Sequence, residues 1–281
     1  MAAVGLALCS AVLFGSMSVA LRFALSRTPD AEAGALATAI VALVPCGGVA
    51  LVGAEWHGRV WPFLLAGLLA PGSSQIFYVL AVRDIGPSRA AVLVGTAPLV
   101  SVTIALIVLG EPLSWALVLG AVLIVLGGLV LAGERVRPDT FRAVGVLFAL
   151  ACTVFFATRD NLLRWLSLDT PVPPAVAAAC ALLGGFVLSA LLLAPRLRSP
   201  TLRHAAPFLG VGVLFGLSYI SLFEAFYRGR VTVVSPLVAT ESLFGVLFAV
   251  LLVGRSELVG KHLVLGALLI VGGGVLIGAL R

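Results

Sequence analysis

Apolar residues fill this chain in runs of about twenty, separated by short polar gaps. Crossing a bilayer as a helix takes ~20 mostly apolar residues. Ten runs qualify: 2–21, 31–53, 61–82, 88–109, 115–132, 143–163, 172–194, 205–227, 231–253 and 259–280. Arg, Asp, Pro and Trp collect in the gaps, as in "GAEWHGRVWP", "RDIGPSR", "GERVRPDTFR" and "APRLRSPTLRH". None of these gaps holds a soluble domain. Pro62, Pro87 and Pro207 stand near the first turn of the run that follows, where a missing N–H does no harm. The pattern predicts an all-α membrane protein of ten transmembrane helices. The first run lacks the basic start of a signal peptide, so it is read as a retained helix.

Composition narrows the class further. The chain has 281 residues, 61% hydrophobic and 11% charged, with a mean hydropathy of +1.20. Soluble domains are roughly a quarter charged. The net charge of +6 raises nucleic acid as a partner, but the basic residues form no continuous face. They sit in the gaps, as membrane anchors do. The bilayer and a small-molecule substrate are the expected partners, with no nucleic acid. Cys9, Cys46, Cys152 and Cys180 each lie inside an apolar run without a CxxC pair and read as buried small hydrophobes.

The chain also repeats itself. "LVLGAVLIVLGGLVLAG" (117–133) lines up with "LVLGALLIVGGGVLIGA" (263–279), and Gly120, Gly127 and Gly128 fall on Gly266, Gly273 and Gly274. Upstream, Gly110 matches Gly254. Two halves follow, 1–139 and 140–281, with five helices each. An odd number of spans per half inverts one half against the other, the plan of many secondary transporters.

Five plus five helices, the "LGE" of Leu109, Gly110 and Glu111 after the fourth run, and glycine-rich fifth and tenth runs resemble the drug/metabolite transporter superfamily. The pattern is closest to its EamA-type exporters, and the resemblance covers essentially the whole chain. It implies transport of small solutes across the cell (inner) membrane, often export of amino acids or related metabolites. Two departures stand out. The second "GE" of the family pattern is Gly254-Arg255 here, and its Glu-Pro of the ninth span is Glu241-Ser242, opposite Ala97-Pro98 in the first half.

Glu241 is the leading candidate for chemistry, as the eleventh residue of the run 231–253. An ionised carboxylate facing lipid there costs several kcal/mol, so Glu241 is expected to face the bundle interior. It is read either as a substrate-ammonium or proton site, or as a hydrogen bond that fixes helix packing. Pro98 in "GTAP" and Pro236 in "SPLVATES" predict kinks in the fourth and ninth spans, with Thr96, Thr240 and Ser242 beside them. Pro71 and Gly72 are expected to loosen the third span, where Gln75 and Tyr78 share a face. The eighth span offers Ser218, Tyr219 and Glu224. In the sixth, Phe156 and Arg159 are assigned to the cavity, while Asp160 and Arg164, four apart with the acid first, predict an interfacial ion pair. Glu111 is read as a helix cap. Gly212 with Gly216 and Gly274 with Gly278 are read as close helix contacts within one chain.

The predicted cavity lies among spans one, three, four, six, eight and nine. His57, His204 and His262 are far apart at span ends. No HExxH, GxxxxGK[ST] or Cys/His cluster occurs, so neither an enzyme, a metal site nor a cofactor is expected. The reading is a secondary transporter exporting small metabolites such as amino acids by alternating access, with proton coupling as an option. An uncoupled facilitator, and less favoured a lipid flippase or intramembrane enzyme, are the alternatives. A monomer already accounts for the glycine contacts, and a homodimer stays open. Ten spans place both termini on one side, the cytoplasm if the resemblance holds. That side would carry Arg59, Arg159, Arg164, Arg228, Arg230 and Arg281, against twelve basic residues opposite, and the positive-inside rule favours the reverse.

Overall fold

In the computed structural model, which describes residues 2–28, 30–53, 58–108, 114–132, 141–193, 205–253 and 260–279, the apolar runs are helices and no strand occurs among these residues. The first half contains α1 (Ala2–Arg27), α2 (Ala31–Gly53) and α3 (Trp61–Gly67), which passes through a wide turn (Leu68–Ser73) into α4 (Ser74–Ile85). It ends with α5 (Pro87–Val94) leading into α6 (Ala97–Val108), then α7 (Trp115–Ala132). The second half contains α8 (Val144–Ser167), α9 (Pro174–Leu193), and a short turn (Ala206–Phe208) that opens α10 (Leu209–Arg228). Then come α11 (Val231–Val238), α12 (Glu241–Phe248) with a wide turn (Ala249–Val253), and α13 (Lys261–Ala279). Among the described residues, eight spans are long and apolar enough to cross a membrane, and two shorter apolar stretches, 118–127 and 261–276, lie in α7 and α13. This is a multi-pass membrane protein. Its first helix runs six residues past the apolar run, to Arg27, because basic side chains at a helix end reach the interface without leaving the helix.

The halves pack reciprocally. α1 lies on α10 as α4 lies on α8, and α5 meets α12 as α6 meets α11. At the α7–α13 crossing, a Cβ on Gly127 would come 2.7 Å from the Gly266 carbonyl oxygen, and one on Gly273 would strike the Gly120 carbonyl. Only glycine allows that approach. The aligned glycines of the repeat therefore touch each other across the two halves. Gly212 and Gly216 fit against Val41 and Ala42 of α2, a packing role within one chain. Glu111, His57 and His204 lie outside the described residues, as do the surroundings of Gly278 within α13.

Among the described residues three spans are broken, for local reasons. In the third, the Pro71 ring disfavours helical geometry at the residue before it, and Ala70 is extended at φ −146°, ψ 119°. Ser73 Oγ donates to the Leu68 carbonyl at 3.1 Å. In the fourth and ninth spans the interruption falls at Gly95–Thr96 and Ala239–Thr240. There the Thr96 and Thr240 N–H groups turn to carbonyls three residues back, Leu93 and Leu237, at 3.1 Å each. Both threonine hydroxyls donate to the same carbonyls at 2.6 Å. Such back-bonding bends helices. The breaks are not at the prolines: Pro236 lies inside α11, three residues before its break, and Pro98 lies in the first turn of α6.

Candidate central binding site

The broken spans bring their middles together. Glu241 opens α12 directly after the Ala239–Thr240 break, and Ala97 opens α6 directly after the matching one. Glu241 lies ten residues into the ninth span, or about 15 Å at 1.5 Å per residue. Arg159 lies eight residues, about 12 Å, from the end of α8 on the same face of the membrane. Half of a ~30 Å hydrocarbon core is about 15 Å, so both groups sit near the midplane.

A cavity joins them. Its wall contains Phe14, Ala97, Phe156, Arg159, Asp160 and Glu241, with Ser235 and Val238 from α11. Its volume is about 20 Å³, room for roughly one water. Ligand sites for small molecules are usually ~300–1,000 Å³, so the centre is closed around its polar groups.

Those groups form a built network. Arg159 Nε and Nη2 donate to Asp160 Oδ1 at 3.0 and 2.7 Å. Asp160 Oδ2 accepts from Ser235 Oγ at 2.9 Å, so the pair ties α8 to α11. The guanidinium carbon also lies 4.6 Å from the centre of the Phe156 ring and 5.6 Å from that of Tyr219, distances at which an aromatic face attracts a cation. Arg159 Nη1 has no hydrogen-bond partner. It is a spare donor at the edge of the cavity. Glu241 is buried, and among the described residues its carboxyl group accepts no hydrogen bond. One guanidinium thus faces two carboxyls, and Asp160 already holds it.

The expected Asp160–Arg164 pair does not form. Asp160 turns to its neighbour Arg159, and Arg164 Nη1 donates to the Phe226 carbonyl at 3.0 Å, bracing α8 on α10. The cause is depth. A buried aspartate finds its counter-charge on its own level of the bundle, and Arg164 is a turn nearer the surface. Arg159 is therefore a midplane residue and does not belong among the basic residues of either membrane face.

The EamA-like transporter family matches residues 1–133 and again 143–279. The chain belongs to this family. The two matches take in all three broken spans and every residue of the central wall. An uncharacterized transporter of Methanothermobacter thermautotrophicus is 27% identical over 191 residues, which is 66% of this chain and 55% of that relative. The alignment thus spans about half the relative's length. A solved crystal structure superposes with a TM-score of 0.73 over 99% of each chain at 22% identity, a likeness of fold.

In this EamA-family chain, the remaining candidates divide by layer. Phe156, Arg159 and Glu241 line the cavity. Tyr78 packs behind Phe156 with ring centres 6.5 Å apart and planes tilted by 31°, and Tyr219 stands behind Arg159, 6.4 Å from the Phe14 ring. Spans three and eight thus supply the second layer, where the sequence places them in the first. Thr96 and Thr240 serve the breaks, and Pro98 is buried in the first turn of α6. Ser242 Oγ donates to the Ala239 carbonyl at 2.9 Å. Gln75 is buried with Nε2 unpartnered, outside the cavity wall. Ser218 is a packing residue: its Oγ donates to Phe215 and its carbonyl accepts from Ser10 Oγ. Glu224 pairs with Arg228 one turn on, at the end of α10. Sequence reasoning missed Phe14, Ser235 and the role of Asp160. For Asp160, its neighbour Arg159 was the available signal; Phe14 in an apolar run carries none.

Proposed function

We propose that this protein is a secondary transporter that moves small zwitterionic or hydrophobic metabolites, such as amino acids, out of the cell by alternating access. The observation that carries the reading is the pairing, at midplane, of a spare Arg159 donor with an otherwise unengaged Glu241 on a wall of aromatic rings. A substrate carboxylate suits the guanidinium, an ammonium suits Glu241, and an apolar side chain suits Phe14, Phe156 and the tyrosines behind them. The closed cavity is too small for such a solute, so the halves must part to admit one. Export is the direction that the family resemblance implies.

An uncompensated carboxylate in a membrane interior costs several kcal/mol. Glu241 is therefore the group that either a proton or a substrate ammonium would neutralise, and this supports proton coupling. The test is flux in proteoliposomes against a panel of amino acids, sugars and lipids, with and without a pH gradient. Glu241→Gln is expected to abolish pH-driven amino acid flux while leaving the protein folded. Unchanged pH dependence in that variant removes the coupling and leaves a facilitator. Movement of sugars or lipids but no amino acid sinks the substrate class.

A further inference from the structure

A second cleft lies at the membrane boundary, well away from the central cavity. It has a volume of about 490 Å³ and is bounded by Arg59, Phe63, Leu166, Asp169, Thr170 and Pro171. These residues come from the entry to α3 and the exit of α8. The floor is firmly set. Gly58 has φ +94°, and a Cβ there would come 2.8 Å from Pro171 Cγ, so the two connections are packed into one another. Thr170 Oγ1 accepts from the Val172 N–H at 3.2 Å and closes the turn.

The chemistry of the cleft is mixed. Arg59 and Asp169 are exposed, and among the described residues neither forms a salt bridge or side-chain hydrogen bond. The cleft therefore offers one cation and one anion to a ligand, with an apolar wall between helix ends. Its level is the interface. Trp61 and Trp165 are 56% and 62% exposed on its two sides, as tryptophans are at headgroup depth. From the cleft, exposed Leu65 and Leu69 continue the Trp61 face of the third span towards the bilayer centre, each four residues on from the last and so on one face.

We propose that this cleft binds the headgroup of a phosphatidylethanolamine lipid. Arg59 meets the phosphate, Asp169 accepts hydrogen bonds from the ammonium, and the acyl chains lie along Leu65 and Leu69. Charge complementarity selects the headgroup. A phosphatidylglycerol brings Asp169 only neutral hydroxyls and no cation, and a choline headgroup has no N–H to give it.

Native mass spectrometry of the purified full-length protein, with each lipid added back, tests this. One phosphatidylethanolamine is expected to be retained about tenfold more tightly than phosphatidylglycerol, the ratio that ~1.4 kcal/mol sets. Asp169→Ala is expected to erase that preference, Arg59→Ala to weaken both lipids, and Arg59→Lys to keep most binding. These side chains are exposed, so thermal unfolding of the variants should be unchanged. Brominated phosphatidylethanolamine should quench Trp165 fluorescence more than its phosphatidylglycerol counterpart. Equal retention of the two lipids, or full binding in Arg59→Ala/Asp169→Ala, overturns the proposal. So does soluble phosphoethanolamine or a free amino acid that competes as well as the lipid, because the site would then serve free zwitterions.

Discussion

At the scale of single residues, the centre is governed by which charges already have partners. Asp160 compensates Arg159, and the pair is almost wholly buried, with side chains 4% exposed. Removing one member of such a pair leaves a buried charge alone and typically costs ~3–5 kcal/mol. Asp160→Ala is expected to lower the thermal midpoint in detergent far more than Ser235→Ala, which removes one hydroxyl donor to Asp160 worth about 1.5–3 kcal/mol at most. A larger loss from Ser235→Ala would mean that the tie to α11, and not the charge pair, holds α8 in place. Legibility follows the same division. Glu241 was legible because an acid in an apolar run has few tolerable surroundings. The partner of Asp160 was not, because helical spacing ranks Arg164 first and says nothing of depth. Ser235 and Phe14 become site residues only when α11 and α1 are laid beside α8, which no local pattern encodes.

At the scale of elements, the helices were legible and their interruptions only partly so. Bilayer thickness forces apolar runs of nearly fixed length, so the span starts needed little beyond counting, and each described span begins within two residues of the run that predicts it. Proline marked the broken spans but not the sites of breakage, except at Ala70 before Pro71. The shared feature of the fourth and ninth spans is a threonine, Thr96 and Thr240, 144 residues apart in keeping with Gly110 and Gly254. Replacing both with valine removes the back-bonds while keeping shape, and transport rate is expected to change more than stability. An unchanged rate would assign the breaks to backbone packing alone.

Close helix contacts give a second element-scale prediction. A Cβ on Gly184 of α9 would strike the Leu64 carbonyl oxygen of α3, and backbone cannot swing aside. Gly184→Ala is expected to cost about 1–3 kcal/mol or more, as overpacking does. Gly210→Ala, with open space around its Cβ, should be neutral or gain up to ~1 kcal/mol of helix propensity. Thermal unfolding of the two variants side by side checks the contrast.

For the whole molecule, the question is which way it sits. With Arg159 at the midplane, the side of the termini keeps only Arg59, Arg164, Arg228, Arg230 and Arg281 of the eighteen Lys and Arg residues, counted along the sequence. Twelve fall on the opposite side. The positive-inside rule acts on such short connections, so both termini are expected outside the cytoplasm, against the orientation that the family resemblance implies. A C-terminal alkaline phosphatase fusion should be active and a fluorescent-protein fusion dark. The reverse pattern would show that the charge count does not control insertion here.

The pairing of Ala97 with Glu241 has a wider consequence. Two interchangeable halves that rock about a shared axis would have end states of equal energy, each the image of the other. A carboxyl group on one hinge and a methyl on the other lifts that degeneracy. The resting protein should then favour one open mouth over the other, by an amount that changes when Glu241 gains or loses its charge. Net flow is still set by the gradients outside. What the single acid sets is the idle position to which the machine returns between cycles.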